Sequence, residues 1–139
     1  MTLPAPEIDQ VNHWYWEGLA EGELRFQHCR DCGLAWLPPT EECSRCLSSS
    51  WELRRSSGSA RLISWVRYHV APHPGFKDRL PYNVAVVELA EGPRTVTNLV
   101  GVQDWSALAV GMQLELEIEQ DDGVFLARFR VAGTEQRHG

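Results

Sequence analysis

The chain has no run approaching the roughly 18 consecutive apolar residues of a membrane span. Its N-terminus lacks a basic stretch followed by an apolar core, so no secretory signal is expected and a cytoplasmic location is the natural reading. Cations are scarce. Thirteen Lys and Arg stand against nineteen Asp and Glu, for a formal net charge of −6. A generic binder of phosphate backbones needs a basic surface, so the acidity argues against nucleic acid as the ligand. Recognisable catalytic machinery is missing too: there is no G-x-S-x-G elbow, H-E-x-x-H helix, phosphate loop or dinucleotide fingerprint. His69 and His73 have acid–base chemistry available. The acidic residues, however, mostly alternate along strand-like segments, as solvated faces do. The chain is expected not to be an enzyme by itself.

Cysteine is scarce as well, and all four copies fall into one pattern. Cys29-Arg30-Asp31-Cys32 and Cys43-Ser44-Arg45-Cys46 are separated by ten residues. Two C-x-x-C knuckles at this spacing deliver four thiolates to a tetrahedral ion, the arrangement of a zinc ribbon. Gly33 follows the first pair and lets the backbone turn so that amides face the sulfurs. A redox dithiol fits less well, because that chemistry uses one C-x-x-C at a helix N-terminus. Iron is the alternative ion, since four thiolates also hold iron. A closed shell of four sulfurs leaves no position for water or substrate, so the ion is expected to be structural. Such a centre carries a charge of about −2, and Arg25, Arg30 and Arg45 lie close in sequence to offset it. His28 adjoins Cys29 but is expected to be an exposed strand-end residue.

With 139 residues and 43% hydrophobic content, the chain suffices for one ordinary domain, or a small domain plus a metal-stapled module. Residues 6–21 are expected to form one amphipathic helix, with Pro6 in the first turn and Gly22 as the stop. Ile8, Val11, Tyr15 and Leu19 recur at helical spacing. His13-Trp14-Tyr15-Trp16 holds more aromatic surface than one stripe can hide, because neighbouring residues point about 100° apart. Trp14 and Trp16 therefore either fill a groove or, with Tyr15, dock on another protein.

Residues 23–57 are expected to form the ribbon. Glu23 to His28 alternates into the first knuckle, Leu34 to Leu37 leads away, Pro38-Pro39 turns the chain, and Trp51 to Arg55 is a further strand. Ser56-Ser57-Gly58-Ser59 marks the boundary between modules. Five strand candidates come next: 60–70, 82–89, 94–102, 112–119 and 124–131. Asp121-Asp122-Gly123 is a hairpin turn joining the last two. A short helix-forming segment, 104–108, falls between the third and fourth. Three strands, a plug and two strands are the order of a five-stranded OB-fold barrel, whereas an SH3-like barrel has no plug there. The irregular segment 71–81 contains Phe76, Lys77 and Arg79 among prolines, and such loops often border a ligand face.

The order of these parts resembles an acyl-CoA-associated family that joins a rubredoxin-like zinc ribbon to an OB-fold (the "DUF thirty-five" type). The resemblance runs through Gly18-Leu19-Ala20-Glu21-Gly22, Phe26-Gln27-His28-Cys29, Pro38-Pro39 and Cys43 to Cys46. It continues through Ser57-Gly58-Ser59-Ala60, Pro81-Tyr82, Glu91-Gly92-Pro93-Arg94, Thr97 to Gly101 and Val110-Gly111-Met112. One departure is Ser44, where a proline often follows the first cysteine of the second knuckle.

The resemblance implies a mainly β protein. Its parts are an N-terminal helix (1–22), a rubredoxin-like zinc ribbon (23–57), an OB-fold (58–133) and a disordered tail (134–139). It implies structural Zn²⁺ on Cys29, Cys32, Cys43 and Cys46. It also implies an accessory subunit in a hetero-oligomer with a thiolase-like enzyme that handles an acyl-CoA thioester, with the chemistry on the partner. Trp14, Tyr15 and Trp16 would dock on that partner. Arg67, Lys77 and Arg79 would face the CoA phosphates, with Trp65 or Phe76 against the adenine or pantetheine. The rival classes are a single-stranded nucleic-acid module and a self-sufficient CoA enzyme.

Overall fold

The computed structural model describes residues 8–68 and 82–132. The expected loop 71–81, with Phe76, Lys77 and Arg79, lies outside the described residues, as do His69, the tail 134–139 and the first part of the expected helix. Helix α1 spans His13–Ala20, shorter than the expected 6–21. The Asp9 carboxylate accepts from the amides of Val11 and Asn12, at 2.9 and 3.0 Å. That local turn competes with helical hydrogen bonding and delays the helix. The stop is as expected. Gly22 adopts φ 88°, and Glu23 N and Gly22 N donate to the carbonyls of Gly18 and Leu19, closing the helix end. The buried face is Trp14, Gly18 and Leu19, and Ile8 of the expected stripe is 57% exposed. A Cβ at Gly18 would lie 2.8 Å from the Arg25 Cδ, so a larger residue there would push aside the Arg25 side chain that Glu21 and Glu23 hold across the helix.

Three strands form the ribbon sheet: β1 (Arg25–Cys29), β2 (Ala35–Trp36) and β3 (Trp51–Arg55), in the order β2-β1-β3. Five more form the second sheet: β4 (Ser59–Tyr68), β5 (Tyr82–Leu89), β6 (Arg94–Thr97), β7 (Gln113–Asp121) and β8 (Val124–Val131). Their order is β6-β5-β4-β7-β8, all antiparallel. A bulge between Leu62 and Ser64 bends β4, which lets one strand pair with β5 along its length and with β7 at its start.

The sheet curls until its outer strands meet. Leu99 bridges Phe129 in parallel, Val100 N donates to Phe129 O at 2.8 Å, and Thr97 Oγ1 donates to Ala127 O at 2.7 Å. This is the expected OB-fold. The plug between the third and fourth barrel strands is a 3₁₀ turn, Trp105–Ala107, capped by the Asp104 carboxylate. It sends Leu108, 9% exposed, into the core.

One hydrophobic cluster serves both parts. Trp14, Leu19, Leu24, Phe26 and Leu37 pack with Ala60, Leu62, Ala85, Val87, Leu89, Leu99, Leu114 and Phe129. The connection between the sheets is tied at both residues: Ser56 N donates to Leu24 O, and Ser57 N donates to the Glu91 carboxylate, each at 2.8 Å. Glu115, Glu117 and Glu119, expected on a solvated face, are half-buried. Arg130 meets Glu117 at 3.1 Å, and Arg128 meets Glu119 at 2.7 Å and Asp121 at 3.0 Å. The register places these arginines across the hairpin from the acids, so their charge is balanced within the face.

Candidate metal centre and ligand surfaces

The four cysteine sulfurs lie within 4.8 Å of one another. Cys29 Sγ is 3.5 Å from Cys46 Sγ, and Cys32 Sγ is 3.5 Å from Cys43 Sγ. Metal–sulfur bonds of about 2.3 Å at tetrahedral angles require sulfur separations of about 3.8 Å, so the cluster fits a tetrahedral ion.

The two knuckles are the same turn made twice. Gly33 N donates to Cys29 O at 3.1 Å, and Leu47 N donates to Cys43 O at 2.9 Å. Cys29 N donates to Leu34 O at 2.8 Å, and Cys43 N to Ser48 O at 2.9 Å. Gly33 has φ 82° and Leu47 φ 64°, so both turns use the left-handed conformation, once with glycine and once without. Ser48 Oγ donates to the Asp31 carboxylate at 2.5 Å, joining one knuckle to the other. Backbone amides also face the sulfurs: Cys32 N lies 3.4 Å from Cys29 Sγ, and Arg45 N 3.4 Å from Cys43 Sγ.

The electrostatics of Cys29, Cys32 and Cys46 point the same way. Cys32 is brought down to about 6, first by the Leu34 amide, with Arg45 also lowering it. Cys29 is lowered, chiefly by the Cys32 amide. The Ser48 amide lowers Cys46 too, but desolvation and the three neighbouring cysteines outweigh it and raise that thiol to about 12. Four thiolates this close cannot all carry charge without a cation, and a divalent ion removes the conflict. The donor set therefore fits a structural metal.

Of the arginines expected to offset this charge, Arg45 does so, and its guanidinium also donates to Cys32 O at 2.8 Å. Arg25 is held by Glu21 and Glu23, and Arg30 faces Glu52. His28 is half-buried rather than exposed, with Nδ1 3.7 Å from the Glu52 carboxylate.

The aromatic cluster of α1 divides. Trp14 is 5% exposed and packs on Trp51 with ring centroids 6.3 Å apart, so it is a core residue. Tyr15 stands edge-on between Trp14 (6.2 Å) and Trp16 (5.1 Å). Burial pushes its hydroxyl up to about 12. Tyr15 and Trp16 line a groove of about 280 Å³ with Leu37, Pro38, Pro39 and Thr95. That convergence of the helix, the ribbon turn and the edge strand β6 is invisible in the sequence.

Trp65 and Arg67 lie on one face of β4, opposite Ala85 and Asn83 of β5. Ala85 is buried, so this is the barrel's inward row. Trp65 packs on the core, and Arg67 at the end of the row is exposed. The Arg67 guanidinium carbon lies 4.8 Å from the Trp105 ring centroid. Trp105, from the sequence a plug residue only, is thus brought to the expected ligand face.

A ribbon stapled by four cysteines and fused through one core to an OB barrel defines a two-module metal-ribbon protein. The chain belongs to the ChsH2 (DUF35) family: residues 16–52 match "ChsH2, rubredoxin-like zinc ribbon domain" and residues 53–119 match "ChsH2, C-terminal OB-fold domain". It is 36% identical over 130 residues to "Probable enoyl-CoA hydratase alpha subunit" of Thermomonospora curvata, covering 93% of this chain and 40% of that protein. It is 31% identical over 102 residues to a "DUF35 domain-containing scaffold protein" of Methanocaldococcus jannaschii, covering 69% of this chain and 71% of that one. The solved structure "Ltp2-ChsH2(DUF35) aldolase" superposes with a TM-score of 0.80 at 36% identity, over 92% of this chain and 99% of that one. Among the described residues, no helix is long and apolar enough to cross a membrane.

Proposed function

We propose that this chain is a non-catalytic accessory subunit that binds a thiolase-like enzyme in a cytoplasmic hetero-oligomer and helps position its acyl-CoA thioester. The observation that carries this reading is the superposition on a chain of the Ltp2-ChsH2(DUF35) aldolase, a name that pairs two proteins in one enzyme. The names "hydratase alpha subunit" and "scaffold protein" among the relatives support the same division of labour.

The ion is taken to be Zn²⁺, holding the ribbon. Tyr15 and Trp16 are the docking residues, with the groove beside Pro38-Pro39 receiving the partner. Trp14 supports them from the core. Trp65 and Arg67, with Phe76, Lys77 and Arg79, form the proposed contact surface for the CoA thioester. A single-stranded nucleic-acid module is the other reading of a ribbon beside a barrel. Nearly all described arginines are engaged by acids, which leaves little cationic surface for it.

The test is affinity purification of the tagged chain from its native host, with identification of the proteins that co-purify. Stoichiometric recovery of a thiolase-like protein is expected, and replacing Tyr15 and Trp16 by Ala should lower that recovery about tenfold or more. A chain that elutes alone, or turns over an acyl-CoA unaided, overturns the reading.

A further inference from the structure

The curled sheet closes along the seam between β6 and β8, and closes it only in part. Along an antiparallel pair, residues alternate between those that exchange hydrogen bonds with the neighbouring strand and those whose backbone groups face away from it. Leu89 N donates to Pro93 O at 2.8 Å. With Val87 opposite Thr95 and Ala85 opposite Thr97, the alternation turns the amides and carbonyls of Thr95 and Thr97 towards β5. Arg94, Val96 and Asn98 turn theirs towards the seam. Asn98 O accepts from Phe129 N at 3.1 Å, and Val100 N donates to Phe129 O at 2.8 Å, so the seam is zipped from Asn98 onward. At Arg94 and Val96 no strand among the described residues pairs with this edge. Val96 is 68% exposed, so solvent reaches it there.

Two further observations say what fits the open stretch. Thr95 shares its inward row with buried Thr97, and on that side lies the groove of about 280 Å³ whose walls include Tyr15, Trp16, Leu37, Pro38 and Pro39. On the outward side, Glu88 serves both Arg61 and Arg94, so two guanidiniums share one carboxylate and the edge keeps a positive excess. A row of open amides and carbonyls is matched by the backbone of an extended chain. Side chains alternate along such a chain, so one residue enters the groove while its two neighbours lie beside Arg94 and Val96.

We propose that the partner docks by adding an extended strand to the β6 edge at residues 94–96. In antiparallel register the residue opposite Arg94 is acidic, the one opposite Val96 is β-branched or aromatic, and the one between them is apolar and seated beside Tyr15 and Trp16. This rests on the accessory-subunit reading above and deepens it: the aromatic groove is one half of a site whose other half is backbone.

The test is residue-resolved hydrogen exchange on the full-length, metal-loaded chain, alone and with the thiolase-like protein that co-purifies with it. The Thr95 and Thr97 amides, bonded to β5, are expected to be protected in both states. The Arg94 and Val96 amides are expected to exchange readily in the isolated chain and to slow about tenfold or more in the complex. Val96→Pro deletes the outward amide without deleting a bond to β5, a position where an edge strand tolerates proline, and should lower partner recovery about tenfold. Val96→Thr keeps both the amide and the branched shape and should retain it. Arg94→Gln should weaken recovery several-fold, more at low salt than at high.

A complex in which the Arg94 and Val96 amides exchange as fast as in the isolated chain overturns strand addition and leaves the accessory reading standing. Failure to recover any thiolase-like protein overturns both. Protection of these amides in the isolated chain that grows with its concentration assigns the edge to a second copy and refutes the partner strand. If Val96→Pro lowers the Tm, exchange in the wild type still decides.

Discussion

Gln27 clamps Thr40 from both sides. Its Nε2 donates to the Thr40 carbonyl at 2.7 Å, and its Oε1 accepts from the Thr40 amide at 3.0 Å. Gln27 is fully buried in β1, so one internal side chain supplies the strand-like hydrogen bonds that the loop after Pro39 lacks. The Trp36 indole adds a third tie, donating to Thr40 Oγ1 at 2.9 Å. This loop leads directly into Cys43. Gln27→Leu keeps the volume but leaves the half-buried Thr40 amide and carbonyl without these partners, and should lower stability by about 1 kcal/mol. Urea unfolding of the metal-loaded protein measures it. A loss below about half a kcal/mol means that water replaces the clamp.

Removal of the ion should reach beyond the ribbon, since Leu24, Phe26 and Leu37 belong to the barrel's core. Elemental analysis should find one tightly held metal per chain. Cys46→Ser, or stripping by a strong chelator, should cost about 3 kcal/mol or more, a fall of roughly 10 °C in Tm. Near-ultraviolet circular dichroism from the barrel should weaken together with that from the ribbon. Separate transitions for the two would contradict the shared core.

Leu47 occupies in the second knuckle the place that Gly33 holds in the first, with φ 64° and a side chain 69% exposed. A left-handed backbone costs a branched residue about 1–2 kcal/mol, and glycine gives back part of that gain through its freer unfolded chain. Leu47→Gly should therefore stabilise the protein by about 0.5 kcal/mol. Gly33→Ala, at φ 82° with open space around the new methyl, should destabilise it by about 1 kcal/mol through the backbone alone. Thermal midpoints of the two variants should move in opposite directions.

Glu88 is held below the usual carboxylate range, first by its hydrogen bond with Arg61 and then by Arg94. A carboxylate lowered in the folded state contributes stability above its unfolded pKa of about 4.3, and that contribution disappears as pH falls through the lowered folded value. Unfolding free energy should be level near neutrality and decline below about pH 4.5. Glu88→Gln should start less stable at pH 7 and decline less steeply. Parallel pH profiles for the two proteins would show that the charge network is inert.

The ribbon and the strand order were legible because their signals are local. Cysteine spacing fixes a tetrahedral site whatever the rest of the chain does, and the alternation from Met112 to Glu119 reports one face. Gly22 as a helix stop was equally readable, since a left-handed residue there needs no tertiary partner. The helix start was misplaced because Asp9 can cap its own turn, a competition that apolar periodicity does not register. Trp14 illustrates the other limit: three adjacent aromatics look alike in sequence, and only packing against Trp51 separates the core ring from Tyr15 and Trp16 at the groove. Trp105 and Arg67 are far apart in sequence, and their contact exists only once the plug is folded against β4. The repeat of the Gly33 turn at Leu47 was present in the register of the two knuckles, yet hidden by a residue that usually avoids that conformation.

Because α1, part of the ribbon and the barrel share one hydrophobic cluster and the Ser56–Ser57 joint is tied at both residues, the two sheets are held to each other. A displacement of α1 would therefore press on β8, against which the helix packs. A companion that grasps α1 would thereby act on a barrel strand as well as on the helix it holds.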